Sequence, residues 1–239
     1  MDNTFSVERI KRKILGYLKK LDYLLINEKD LQIYLAIKLK KQGYQVYTEY
    51  HLPKHFNQAF DVDYQLWSTE RPSIDLVLES DGKFIAIELK YKHKELKGEL
   101  SRFGSEPQKD FPLAPNQYAQ NNARYDFWKD VKRLELIKKH YNIIGGIALF
   151  LTNDESYQKT NTGCEYAEFG LEQNKNGGPL CWGDKELAES GKEERGEEDG
   201  TTNRARPNFE LENSYSGEWE KNIKILGENI FHVYSVVVS

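Results

Sequence analysis

Two cysteines, a single methionine and seven prolines in 239 residues are the scarcities that first narrow this sequence. Cys164 and Cys181 lie 17 positions apart and outside any CxxC pattern, so ordinary thiols are expected in place of a disulfide framework or a thiolate zinc site. Long hydrophobic runs are also missing: the longest falls well short of the ~20 apolar residues that a membrane span requires, so no membrane partner is expected. The opening MDNTFSVERIKRK has no apolar stretch followed by small residues, so no signal peptide is expected and the expected location is cytoplasmic. No internal repeat is visible. What is present is 38% hydrophobic and 30% charged residues, enough for one substantial core with an insertion.

The net charge of −4 is unevenly spread. Residues 1–150 carry 25 Lys and Arg against 20 Asp and Glu, whereas residues 151–239 carry 9 against 18. Phosphate binding depends on where positive charge stands rather than on its total. A basic first part therefore keeps nucleic acid open as a partner, beside the plainer reading of a solvated surface with uneven charge.

Residues 1–27 contain an amphipathic helix, with Ile10, Ile14, Leu18, Leu21 and Leu25 separated by threes and fours. A second helix is expected after Asn27, with Asp30 as a variant capping box, Leu31, Leu35 and Leu39 buried, and Gly43 as its stop. Tyr44 to Tyr50 reads as a strand, and another is expected near 60–67. SIDLVLES and KFIAIELKY, joined by Asp81-Gly82, give the strongest hairpin signal in the chain. A Lys-rich segment (90–97) and a polar loop with Pro107, Pro112 and Pro115 lead to a helix over 116–140, followed by a buried strand from Ile143 to Leu151. Residues 152–227 read as an acidic, partly disordered insertion, clearest in KELAESGKEERGEEDGTTNR. Residues 228–239 then recover strand character and complete the core. The expected fold is α/β: a mixed central sheet flanked by helices, with a long polar insertion before the last strand.

A two-residue turn at Asp81-Gly82 sets Ser80 against Lys83 and carries Asp75 opposite Glu88. Cross-strand partners have Cβ atoms roughly 4.5–5.5 Å apart, so two carboxylates there repel unless a cation intervenes. Alternation puts Lys90 on the face of Glu88, while Ile85, Ile87 and Leu89 point the other way. Phe84 and Ala86 share the polar face, and unpaired carboxylates beside them would be costly to bury. Mg²⁺ takes oxygen ligands and keeps several waters, which suits two carboxylates plus a substrate phosphate. Such an ion can activate a water while a lysine stabilises charge on phosphoryl oxygens, which is phosphodiester hydrolysis.

Pro72-Ser-Ile-Asp75, followed thirteen residues on by Glu88-Leu-Lys90 within IAIELKY, resembles the PD-(D/E)XK, or restriction-endonuclease-like, nuclease superfamily. The likeness covers residues 28–151 and takes in the last strand. It implies a helix, a three-stranded meander, a helix and a further strand. It also implies Asp75 and Glu88 as metal ligands and Lys90 as the catalytic lysine, with Mg²⁺ as cofactor and Mn²⁺ as its substitute. Glu28 and Glu49 match the additional glutamate that many members carry. Gln117 and Arg124 stand where members of that superfamily often place polar residues against the phosphate backbone or the metal. Proline lies three residues before Asp75 instead of adjacent, and the second core helix is only loosely similar.

The expected activity is that of a DNA endonuclease of the restriction type, acting on double-stranded DNA, with a homodimer favoured if both strands are cut. A structure-specific repair or recombination nuclease is the alternative, and so is a non-catalytic binding or assembly protein on the same fold. Each candidate has a plainer reading. Acid-x-Lys recurs at Asp81, Glu95 and Asp130, and only at Glu88 does it lie in an apolar strand across from an aspartate. The hairpin itself could be a structural salt-bridged one. Glu28 could simply favour a helix dipole, and Glu49 could be an exposed strand end. Lys92, Lys94 and Lys97 are phosphate-contact candidates or a solvated continuation of the strand. The five scattered histidines receive no role.

Overall fold

The computed structural model describes residues 5–52, 72–100, 103, 106, 108–117, 120–159, 169–171, 179–180, 194–195, 202–203 and 209–239. The strand expected near 60–67 lies outside them.

Helix α1 (Val7–Lys19) buries Ile10, Ile14, Leu15 and Leu18 along one stripe. Helix α2 (Glu28–Lys40) begins where Asn27 accepts a hydrogen bond from the Asp30 N–H at 2.9 Å. The carboxylate of Asp30 reaches back to the N–H of Ile26, one residue earlier than the usual capping box. Gly43, at φ +90°, turns the chain out of the helix into strand β1 (Gln45–His51).

Strands β2 (Ser73–Ser80) and β3 (Lys83–Lys92) form the expected hairpin. Asp81 and Gly82 both have positive φ, as a type I′ turn demands, and Ser80 pairs with Lys83. Helix α3 (Gln120–His140) follows, then strand β6 (Gly145–Thr152), every residue of which is buried. Strands β4 (Leu96–Leu100) and β5 (Gln108–Ala114) form a separate two-stranded arm before α3.

The segment read as a Lys-rich run and a polar loop is therefore an antiparallel pair that accommodates Pro112. Its prolines and charges hid it, because a two-stranded ribbon with solvent on its flanks needs little apolar alternation. Its base is held by Leu96 and Ala114, both packed into the core.

Strands β7 (Glu218–Leu226) and β8 (Asn229–Val238) complete a six-stranded mixed sheet of order β1-β2-β3-β6-β8-β7. Only β3 and β6 run parallel. Strand β7 falls inside the stretch assigned to the insertion, which corrects that boundary. As an edge strand carrying Glu218, Glu220, Lys221 and Lys224 and interrupted by a bulge, it lacks a clear apolar face. Phe169, Leu171, Phe209, Leu211 and Tyr215, from the same stretch, also belong to the core.

Helices α1 and α2 cover one face of the sheet over Leu76, Ile85, Ile87, Leu89 and Tyr91. Helix α3 covers the other over Val77, Ala86, Ala148 and Phe150. It approaches closely because β6 offers glycine: a Cβ on Gly146 would lie 2.9 Å from Leu134 Cδ2. Trp128, fully buried, fixes the helix further by donating from Nε1 to the Gly170 carbonyl at 2.9 Å. This close seating sets α3 side chains against the polar end of β3. Among the described residues no helix is long and apolar enough to cross a membrane.

Candidate active site

The hairpin register, continued one step past Leu76↔Ile87, sets Asp75 opposite Glu88, but the ladder stops at Leu76. Beyond it the Asp75 side chain makes the link, its Oδ2 accepting the Leu89 N–H at 2.6 Å. The β1 side is also distorted: Glu49, which the register sets beside Asp75, has φ +48°. Buried Gln32 of α2 spans this gap, donating to the Asp75 carbonyl at 2.6 Å and to Glu49 Oε1 at 3.1 Å. The sheet thus opens at Asp75, and side-chain groups take over bonds that backbone would otherwise make.

Glu88 lies on the face covered by α3 and is only 3% exposed. Its Oε1 stands 3.3 Å from Arg133 Nη2 and receives no hydrogen bond. Arg133 also binds Asp130 Oδ1 at 2.7 Å and donates to the Ser73 carbonyl at 3.1 Å. Lys90 Nζ is 3.1 Å from the other oxygen of Asp130. Asp130 therefore bridges the two cations, and the cations between them meet Glu88 and Asp130.

The protonation behaviour follows from this crowding. Burial, reinforced by Asp130 and Glu28 and only partly offset by the Leu89 N–H, pushes the Asp75 carboxyl up to about 6. Burial also raises Glu88 well above the ordinary glutamate value; Arg133 opposes the rise, while Asp130 and Asp75 add to it. For Lys90 burial acts to lower the pKa, but Asp130 and Glu28 outweigh it and keep the ammonium protonated.

An open cleft of about 560 Å³ lies beside the carboxylates, lined by Glu28, Gln32, Glu49, Asp75, Lys92 and Gln117 among others. Glu28 Oε2 accepts the Tyr91 N–H at 2.9 Å, which aims the first turn of α2 at β3. Glu49 is held by Lys29 and by Ser73 Oγ at 3.0 Å, and its pKa is lowered chiefly by Lys29. The fold thus gathers Asp75, Glu88, Lys90, Glu28, Glu49, Lys92 and Gln117 at one end of the sheet. Lys94 stands further along, paired with Asp154 at 3.2 Å.

Arg124 is a correction. It is buried, donates to the Ser156 carbonyl at 2.8 Å and stacks over Tyr157, so it braces the loop after β6 and is not presented to a phosphate backbone.

Sequence reasoning missed Gln32, Asp130 and Arg133. Asp130 did leave a signal, since it interrupts the buried stripe Phe127, Val131, Leu134 and Ile137 of α3 with an acid. Gln32 and Arg133 left none, because the hairpin partners that tie them to the site, Asp75 and Glu88, lie 43 and 45 positions away.

Four carboxylates (Glu28, Asp75, Glu88 and Asp130) share this region with two cations, Lys90 and Arg133. With Glu49, Lys29 and Lys92 of the adjoining cleft counted, five carboxylates face four cations, and Glu88 Oε1 is a buried acceptor without a donor. The donor set fits a divalent ion that takes one or two carboxylates and fills its sphere with water and phosphate oxygens. Among the described residues no three His, Cys, Asp or Glu side chains enclose a metal by themselves. No known family model, no curated protein and no solved structure matches this chain.

Proposed function

We propose that the chain is a divalent-metal-dependent nuclease on a restriction-endonuclease-like fold, cutting the phosphodiester backbone of double-stranded DNA internally. The observation that carries this reading is the surplus of carboxylates over cations where β2 parts from β3, beside a cleft rimmed by Lys92 and Gln117.

Asp75 and Glu88 would hold the ion, with Glu28 or Glu49 as a further oxygen donor; Mg²⁺, or Mn²⁺ in its place, supplies charge neutralisation and a more acidic water. Lys90, kept protonated by Asp130, donates toward the attacking water or a phosphoryl oxygen as negative charge develops there. Lys92 and Gln117, at the rim, offer a cation and an amide to the neighbouring backbone. A restriction-type enzyme that cuts both strands from one such site in each subunit would act as a symmetric pair.

The test is conversion of supercoiled plasmid to nicked and linear forms in Mg²⁺, with a chelator control. D75A, E88A and K90A should each lower the rate by about a hundredfold or more, as expected when a group that stabilises the transition state is removed. Equal cleavage by E88A and wild type would reject the reading. Branched substrates run in parallel separate a structure-specific repair nuclease from a restriction-type one.

A second reading is favoured by one contact. Arg133 already meets Glu88 at 3.3 Å, so the hairpin could be neutralised permanently in a non-catalytic, nucleic-acid-binding protein. DNA binding that is insensitive to Mg²⁺, without cleavage, would support it.

A further inference from the structure

We infer that Arg133 is the resident counter-ion of Glu88, which a divalent cation supplants, and that Asp130 is the fixed anchor to which the released guanidinium stays bound. The inference rests on the nuclease reading and assigns positioning roles to two residues of α3 that lie outside the hairpin motif.

The geometry divides Arg133 between two kinds of contact. Its Nη1 is committed to Asp130 Oδ1 at 2.7 Å, a short charge-assisted bond on the same helix at i, i+3 spacing. Its Nη2 reaches the Ser73 carbonyl at 3.1 Å and lies 3.3 Å from Glu88 Oε1, where no hydrogen bond forms. Glu88 is a strong charge partner of the guanidinium but not a hydrogen-bonded one, so on losing Glu88 the guanidinium is still held by its hydrogen bonds to Asp130 and Ser73.

Asp130 is equally committed. Its side chain is 4% exposed and receives Arg133 on one oxygen and Lys90 on the other. A carboxylate engaged on both oxygens by partly buried cations is a poor metal ligand, so it fixes Lys90 and Arg133 instead. Glu88 is the opposite case, a buried acid whose Oε1 accepts no hydrogen bond and is met by the charge of Arg133 alone. A cation bound between Asp75 and Glu88 would provide that charge at closer range, and the partly buried arginine would then act as a repulsive neighbour that weakens metal binding.

The measurement is Mn²⁺ affinity by calorimetry at pH 8, alongside the melting temperature of each protein in chelator. Removing the charge in R133Q should tighten Mn²⁺ binding by about tenfold or more and lower the chelated protein's melting temperature. R133K keeps a charge but loses the planar fork, and should fall between R133Q and wild type on both readouts. If R133Q does not fold, R133K alone decides: tighter Mn²⁺ binding than wild type supports the role. Unchanged or weaker binding in either folded variant overturns it. Wild type that binds and cleaves while R133Q and R133K gain no affinity removes only the role of Arg133. Wild type that binds no Mn²⁺ and cuts no DNA overturns the nuclease reading together with this one.

Discussion

Asp75 holds its charge at a disadvantage, and pH exposes it. The unfolded chain ionises this group near 3.8 and the folded protein near 6, so between those values the native state holds more protons. Stability from this group is therefore complete below about pH 4, falls as pH rises through 6, and stays reduced above it. The penalty at neutral pH is on the order of 2–3 kcal/mol. Asn at 75 can still accept from the Leu89 N–H without the charge. In chelator, D75N should therefore melt hotter than wild type at pH 8 and alike at pH 4; a difference that stays flat across this range would contradict the account. Saturating Mg²⁺ should close the gap by stabilising wild type alone. The residues legible in the sequence were those whose meaning is local. Asp75, Glu88 and Lys90 follow from a turn at Asp81-Gly82 and strict alternation. Gln32 and Arg133 act on backbone and carboxylates more than forty positions away, which no local pattern announces. Arg124, a plausible phosphate contact by position, proved to be a brace, since a buried guanidinium over Tyr157 cannot be told from an exposed one by neighbours in sequence.

At the scale of elements, the hairpin, both N-terminal helices and α3 were legible because each combines periodicity with a stop signal, and β6 because its apolar run is continuous. The β4–β5 arm and edge strand β7 were not, because solvent-exposed strands carry charge where a buried strand carries alternation. The seating of α3 on β6 is the element-level feature on which the site depends. A side chain at Gly146 meets Leu134 Cβ at 3.1 Å, an atom no rotamer change can move aside. G146V should destabilise the protein by about 1–3 kcal/mol, read as a lower urea midpoint. Because Leu134 follows Arg133, the same shift should lower cleavage more than L18A does, since Leu18 lies on the opposite layer away from the carboxylates. Both variants would be compared at a temperature where each is folded; equal losses would dissociate the helix position from the site.

For the whole molecule, charge is partitioned: the hairpin, the cleft and α3 belong to the basic portion, and the acidic excess lies after residue 150. If Lys92, Lys94 and Lys97 each neutralise one phosphate, affinity for a duplex should fall about 40-fold between roughly 50 and 200 mM salt. Fluorescence anisotropy with a labelled duplex in chelator would measure the slope, and alanine at Lys92 should reduce it by about one unit. A slope near zero would remove nucleic acid as the partner. The carboxylates and cations of the cleft and of the buried cluster beside it come from α2, β1, both strands of the hairpin and α3, positions spread from 28 to 133. While the protein is being synthesised, the hairpin can close long before α3 has emerged. Until that helix docks, Lys90 has no Asp130 to hold it and Glu88 stands in bulk water, so a half-made chain would be chemically inert and any cutting power would arrive only with the finished molecule.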